Sequence, residues 1–154
     1  MVDVVDAATR SRMMAGIRGR DTQPELRLRS AMHVRGFRFR LHDQRFPGRP
    51  DLVFPRYRAA VFVHGCFWHR HDGCRFATTP ATRPDFWAAK FVANVERDAR
   101  NEAAIAARGW RVGVVWECDI RRSVNDSADL LAHWLKGPED GGEVTTFLTR
   151  RPAA

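Results

Sequence analysis

Residues 58–66 read RAAVFVHGC, and this apolar run, closed by a histidine, a glycine and a cysteine, decides the fold class. The run is continuous rather than alternating, which is typical of a strand buried on both faces of a sheet. WRVGVVWEC at 110–118 has the same character, and DLVF at 51–54 is a shorter strand. FRFRL at 37–41 alternates like a strand. These segments predict the strands of one sheet.

Helical patterns separate the strands. In DTQPELRLRSAMHVRG, residues 21–36, Thr22 or Asp21 can cap a helix, Pro24 lies in its first turn and Gly36 closes it. Three further helices are predicted, at residues 8–17, 85–109 and 119–137. The order of elements predicts an α/β fold with a mixed β-sheet flanked by helices.

The length of 154 residues fits one domain with its own core. We assign residues 1–136 to that domain and residues 137–154 to a C-terminal tail, which lacks a clear period and is expected to be partly disordered. No apolar run is long enough to cross a bilayer, and the N-terminus does not resemble a secretory signal. We therefore predict a cytoplasmic protein without a membrane partner, and we separately expect it to be a monomer.

The chain carries a net charge of +8. Such an excess favours a polyanionic partner, although general solubility is an alternative explanation. The motifs RSR, RGR and RFR all lie within the first 50 residues. The N-terminal third is therefore the predicted electrostatic face.

Metal-capable side chains are concentrated in HGCFWHRHDGC at residues 64–74. Three thiols and one imidazole could meet around one ion: Cys66, His71, Cys74 and Cys118. Tetrahedral zinc with three sulfur ligands and one nitrogen ligand is a common structural site. The spacing is not that of a standard zinc finger, so free buried cysteines beside a solvated histidine are the alternative.

His64 and His69 remain after this assignment. An imidazole near a phosphate could take a proton from water or stabilise charge, but it could equally be an ordinary polar group. Asp51 follows a Pro-Gly turn at the mouth of a strand, next to the strand that ends in His64. A carboxylate there could hold magnesium, or it could simply cap the turn.

Phe67 and Trp68 follow Cys66 directly and are predicted on a loop. Exposed neighbouring rings are costly unless they meet a partner, and rings can wedge between DNA base pairs. Trp87, in PDFW at the start of the long helix, is a third candidate wedge. The alternative is that all three rings pack onto the core.

Six motifs together resemble the very-short-patch repair (Vsr) endonuclease family, in its order and near its spacing. They are ATRSRMM, RDTQPE, FPGRPDLVF, FVHGCFWHRH, ATRPDFWAAKFVANVERD and GWRVGVVWEC. Members of the family nick double-stranded DNA beside a T:G mismatch left by deamination of 5-methylcytosine. The resemblance therefore implies mismatch-repair proteins as partners. The resemblance implies a fold like that of type II restriction nucleases and a DNA repair activity in the nucleoid.

The resemblance also implies roles for individual residues. Asp51 and the main-chain carbonyl of Val63 match ligands of catalytic magnesium, while His69 matches the residue that activates water. His64 matches a phosphate contact, and Glu25 matches an acidic residue that orients metal-bound water. The four cluster residues named above match structural zinc ligands. DNA contacts are implied for Phe67, Trp68, Trp87, Arg10, Arg12 and Met14.

The chain departs from the better-known family pattern in three places, of which one is the stretch after residue 122, where no convincing match is found. Val63 replaces a usual threonine, and HRHDGC has one extra residue and fewer histidines before Cys74. Two rival functions remain: a zinc-stabilised DNA-binding module without catalysis, and a nuclease of the same fold that cuts another lesion or an unmodified site.

Overall fold

A five-stranded sheet forms the centre of the computed structural model, which describes residues 6, 8–9, 21–138 and 142–147. The strands lie side by side in chain order. The first three pair antiparallel, and the third, fourth and fifth pair parallel. They are β1 (Arg40–Leu41), β2 (Leu52–Phe54), β3 (Ala59–His64), β4 (Arg111–Trp116) and β5 (Val144–Phe147). The predicted mixed α/β architecture is confirmed.

The continuous apolar runs form the two central strands, β3 and β4, and both are buried. Alternate residues of β3 enter different cores. Ala59 and Val61 pack in the cluster that contains Leu28 of the first long helix. Ala60 and Phe62 pack in the cluster on the opposite face. Burial on both faces explains why these strands show no polar alternation.

Helices flank the sheet, and the first long helix, Gln23–Val34, begins and ends close to its predicted positions. Thr22 caps the first long helix, because its hydroxyl accepts the Glu25 N–H at 3.4 Å. Gly36 follows that helix with a φ of +88°. The helices are α1 (Gln23–Val34), α2 (Cys66–His69), α3 (Pro84–Ala106), α4 (Glu117–Arg122) and α5 (Val124–Lys136).

Two sequence predictions need correction here. The single helix expected at 119–137 is two helices, α4 and α5, because Ser123 is extended and its hydroxyl caps α5 by accepting the Asp126 N–H at 3.2 Å. The strand expected at 37–41 shortens to β1, whose only partners in β2 are Leu52 and Val53.

The tail also contains a strand that periodicity did not predict. β5 pairs with β4, and the Phe147 ring packs over Gly113. A Cβ atom at Gly113 would lie 2.9 Å from Phe147 Cε2, so the glycine makes room for this ring. Val144–Phe147 therefore form a strand within the tail.

Most of the predicted N-terminal helix lies outside the described residues. Ala8 and Thr9 are helical, and the Asp6 carboxylate accepts the Thr9 N–H at 2.8 Å. The predicted DNA contacts Arg10, Arg12 and Met14 fall in the part of the chain that is not described. None of the described helices combines the length and apolarity needed to span a membrane.

Candidate active site and cysteine cluster

An open groove of about 1300 Å³ lies at the end of β3, between the connector before β2 and one face of α3. Four residues predicted for the active site line it: Asp51, Val63, His64 and His69. Glu25 lies beside the groove on α1, and its side chain is only 2% exposed. The structure thus brings all five predicted active-site residues into one region.

Asp51 stands immediately before β2 and is tied to β3. Its Oδ2 atom accepts the Val63 N–H at 2.6 Å. Burial, together with the Glu25 carboxyl, raises the pKa of Asp51 well above its ordinary value. A buried acid pair of this kind is costly when ionised, so it suits a cation as a partner.

The main chain of Val63 faces Asp51 through its N–H. The N–H and C=O groups of one strand residue point to the same side, so the Val63 carbonyl is directed toward Asp51. Pairing between β2 and β3 ends at Leu52 and Val61, which leaves Val63 beyond the antiparallel ladder. Carboxylate and main-chain carbonyl oxygens are ligands of the kind that magnesium prefers.

The two histidines of the groove stack on each other. The His64 and His69 ring centroids are 4.0 Å apart with an interplanar angle of 7°. His64 is 4% exposed, and its burial lowers its pKa to about 3, with a smaller contribution from His69. His64 is therefore a neutral imidazole at physiological pH.

His69 is oriented by a residue that the sequence analysis missed. Its Nδ1 atom lies 2.5 Å from Oδ2 of Asp98, on α3. A carboxylate at Nδ1 fixes the tautomer and the ring orientation, and it leaves Nε2 for another partner. Asp98 is the last residue of the motif ATRPDFWAAKFVANVERD, and helical spacing puts it on one face of α3 with Asn94 and Asn101.

Glu102 extends this polar face by one helical turn. Burial and the nearby Asp98 raise the pKa of Glu102 to about 7. Between its ordinary pKa of 4.5 and about 7, the folded state binds more protons than the unfolded state, so stability falls as the pH rises.

Glu102→Gln imitates the protonated acid, so its melting temperature should decline less than that of the wild type as the pH rises from 4.5 to 7. Calorimetry across this range measures the difference. Glu96→Gln, at an exposed position of the same helix, is the control. If the melting temperatures of Glu102→Gln and the wild type changed equally with pH, the raised pKa of Glu102 would be contradicted.

The residues of the cysteine cluster follow His64 in the sequence, whereas Asp51 precedes it. The ligand atoms of Cys66, His71, Cys74 and Cys118 all lie within 4.8 Å of one another. Sγ of Cys118 is 3.4 Å from Nε2 of His71. Burial raises the thiol pKa of Cys66 and Cys118, so their thiolates need a cation. Three sulfurs and one nitrogen at this spacing fit a tetrahedral metal ion.

The predicted wedge residues form an aromatic cluster. Phe67 and Trp68 lie on the short helix α2, not on a loop, and both are half-buried. The Phe67 ring centroid is 5.7 Å from that of Trp87 and 5.3 Å from that of Phe91. The rings thus pack partly on each other, and the prediction that Phe67 and Trp68 lie on a loop is wrong.

Cations accompany this aromatic cluster. The Lys90 ammonium lies 5.6 Å from the Trp68 ring centroid, and the Arg70 guanidinium lies 3.8 Å from that of Phe91. Phe86, at the edge of the cluster, is 44% exposed. Rings interleaved with cations suit a surface that meets both bases and phosphates.

Comparison with known proteins gives consistent matches. Residues 2–75 match the family described as DNA mismatch endonuclease Vsr. The chain is 50% identical to the type II nicking enzyme V.XorIIP of Xanthomonas oryzae pv. oryzae over 120 residues, covering 78% of this chain and 88% of the relative. It is 44% identical to the DNA mismatch endonuclease Vsr of Escherichia coli K12 over 150 residues, covering 95% and 96%. The last alignment extends over both the groove and the cysteine cluster.

Proposed function

The chain belongs to the Vsr family of DNA mismatch endonucleases, and we propose that it nicks the thymine strand of double-stranded DNA beside a T:G mismatch. Such a mismatch arises when 5-methylcytosine is deaminated, and the nick would start very short patch repair. The observation that carries the proposal is the His69–Asp98 pair, which faces the same groove as Asp51. Phosphodiester hydrolysis needs a general base for the attacking water and a cation at the phosphate. An oriented imidazole and a cation-binding carboxylate in one groove can provide both.

Asp51 and the Val63 carbonyl would hold magnesium, because both supply oxygen ligands at the groove. When bound, magnesium supplies electrophilic polarisation of the scissile phosphate and neutralises developing charge. Glu25 is proposed to orient water beside Asp51. Zinc is the proposed ion of the cysteine cluster, where it would hold α2 against α4 as a structural element.

His69 acts on the attacking water. With Nδ1 held by Asp98, its Nε2 atom takes a proton as the water oxygen attacks phosphorus. The bond from phosphorus to the 3′ oxygen breaks, leaving a 3′-hydroxyl and a 5′-phosphate. His64, buried and neutral, supports the ring of His69 by stacking and donates a hydrogen bond to the phosphate.

The antiparallel and parallel halves of the sheet, with Asp51 at the start of β2, support a restriction-endonuclease-like core. We further propose that the enzyme acts as a monomer on the nucleoid in the cytoplasm. Mismatch-repair proteins are its proposed partners.

Phe67, Trp68 and Trp87 are proposed to intercalate beside the mismatch. A mismatched step is easier to open than a paired one, so the wedge would add to discrimination.

Trp68→Ala should therefore weaken binding to a T:G duplex by roughly 5- to 150-fold, because base stacking on an aromatic ring contributes about 1–3 kcal/mol. Fluorescence anisotropy on T:G and T:A duplexes measures the effect. Binding to the T:A duplex serves as the control, since phosphate contacts dominate there. An equal loss on both duplexes would argue against a mismatch-specific wedge.

The rival DNA-binding module shares the charge, the cysteine cluster and the rings, but it lacks catalysis. A gel assay on a labelled T:G duplex, with magnesium or with a chelator, separates the two functions. We expect one nick with magnesium and none with the chelator. Binding without any nick would overturn the nuclease proposal.

A further inference from the structure

A second group of metal-capable side chains lies beside Asp51, formed by Asp21, Glu25 and His42. Ligand atoms from all three lie within 4.8 Å of one another. Nε2 of His42 is 3.4 Å from Oε2 of Glu25 and 3.5 Å from Oδ1 of Asp21. Neither Asp21 nor His42 has a part in the activity proposed above.

His42 is held in an unusual position. Its φ of +48° is left-handed, which is uncommon for a residue with a side chain, and its N–H donates to the Asp51 carbonyl oxygen at 3.4 Å. Strained backbone of this kind persists where the surroundings demand it, and such sites are often functional. The strain places the imidazole among three carboxyl groups.

The Nε2 atom of His42 has no hydrogen-bond partner among the described residues, although it is buried. Its distances to the two carboxylates are too long for well-formed hydrogen bonds. A buried nitrogen without a partner is costly, and that cost needs an explanation. Nδ1, the other ring nitrogen, lies 3.9 Å from Oδ1 of Asp51.

The local charge favours a cation. Arg29 lies 2.9 Å from Oδ1 of Asp21 and 3.8 Å from Oε2 of Glu25. Arg29 and His42 contact the same oxygen of each carboxylate, so Oδ2 of Asp21 and Oε1 of Glu25 make no ion pair in the described structure. Because Glu25 is almost fully buried, its remaining charge is poorly screened by water.

We propose that Asp21, Glu25 and His42 form a divalent-cation site that selects a first-row transition ion, such as Mn²⁺, over Mg²⁺. Magnesium takes oxygen ligands and keeps its waters, whereas an imidazole nitrogen favours transition metals. The site adjoins Asp51 at the edge of the groove, because Nδ1 of His42 lies 3.9 Å from Oδ1 of that residue. The binding of the ion does not depend on the proposed nuclease function.

Electron paramagnetic resonance on the full-length, zinc-containing protein without DNA tests the site. Mn²⁺ is titrated into Asp51→Asn, which removes the neighbouring magnesium site. We expect this variant to bind one Mn²⁺, to resist displacement by an equal concentration of Mg²⁺, and to show spin-echo modulation from a directly bound ¹⁴N nucleus.

His42→Asn in the same background identifies the nitrogen. Asparagine tolerates a positive φ, so the backbone is preserved, and circular dichroism with zinc analysis verifies folding. The variant should lose the ¹⁴N modulation and at least about tenfold in Mn²⁺ affinity. His69→Gln is the matched control, because it removes the other accessible imidazole of the groove, and it should change neither value.

Persistence of the ¹⁴N modulation in His42→Asn would overturn the proposal, as would the absence of Mn²⁺ binding to Asp51→Asn. If the protein nicks no duplex but retains the His42-dependent signal, the cation site stands and only the nuclease proposal fails.

Discussion

Asp51→Asn is expected to reduce nicking of a T:G duplex by roughly 10³-fold, in the range seen when one preorganised electrostatic group is removed from an active site. Asparagine can still accept the Val63 N–H, so the link between β2 and β3 is preserved. It cannot supply the negative charge that holds magnesium. Single-turnover nicking measures the loss, and anisotropy should show mismatch binding within about twofold of the wild type.

Asp126→Asn is the matched control for this variant. Asp126 is exposed on α5, away from the groove, and its substitution should leave the nicking rate unchanged. If Asp51→Asn nicked at the wild-type rate, the catalytic metal would have to lie elsewhere, and the roles given to Val63 and His69 would lose their basis.

The second large effect is expected for Cys74→Ser. Cys74 contributes one of the four clustered ligand atoms, and its loss leaves a metal site with weakened affinity. Because metal binding to such a cluster contributes directly to folding, we expect the free energy of unfolding to fall by at least about 3 kcal/mol. For a chain of this size, that corresponds to a decrease in melting temperature of roughly 10 °C.

Two histidine substitutions, one inside the cysteine cluster and one outside it, provide the control. His71→Ala should destabilise the protein as Cys74→Ser does, whereas His33→Ala, at an exposed position of α1, should not. Elemental analysis should find one zinc in the wild type and less in the two cluster variants. A stable wild-type protein purified without zinc would contradict the structural metal site.

The fold was largely predictable from local signals. The continuous apolar runs of β3 and β4 and the Thr22 cap of α1 each depend on neighbouring residues. The break at Ser123 was not predicted, although a serine three residues before Asp126 is a helix-capping pattern. β5 was not predictable, since its short, polar sequence depends on pairing with β4 and on the space over Gly113.

The candidate site likewise contains residues that a local sequence pattern predicted and residues that only the fold brings together. The cysteine cluster and the stacked histidines follow from residues 64–74, with Cys118 supplied by the end of the neighbouring strand. Asp98 and His42 come from elements distant in sequence, and only folding brings them to His69 and Glu25. Their side chains are of types that are usually solvated, so no local pattern marked them.

The proposed function is strand-selective nicking at a T:G mismatch. Its most direct test is the nicking rate with magnesium on duplexes that carry one T:G, T:A or C:G pair within randomised flanks, with each strand labelled separately. We predict one nick on the thymine strand of the T:G duplexes, confined to one family of flanking sequences. Equal or faster cutting of the fully paired duplexes would contradict the repair function and favour a nuclease for another site.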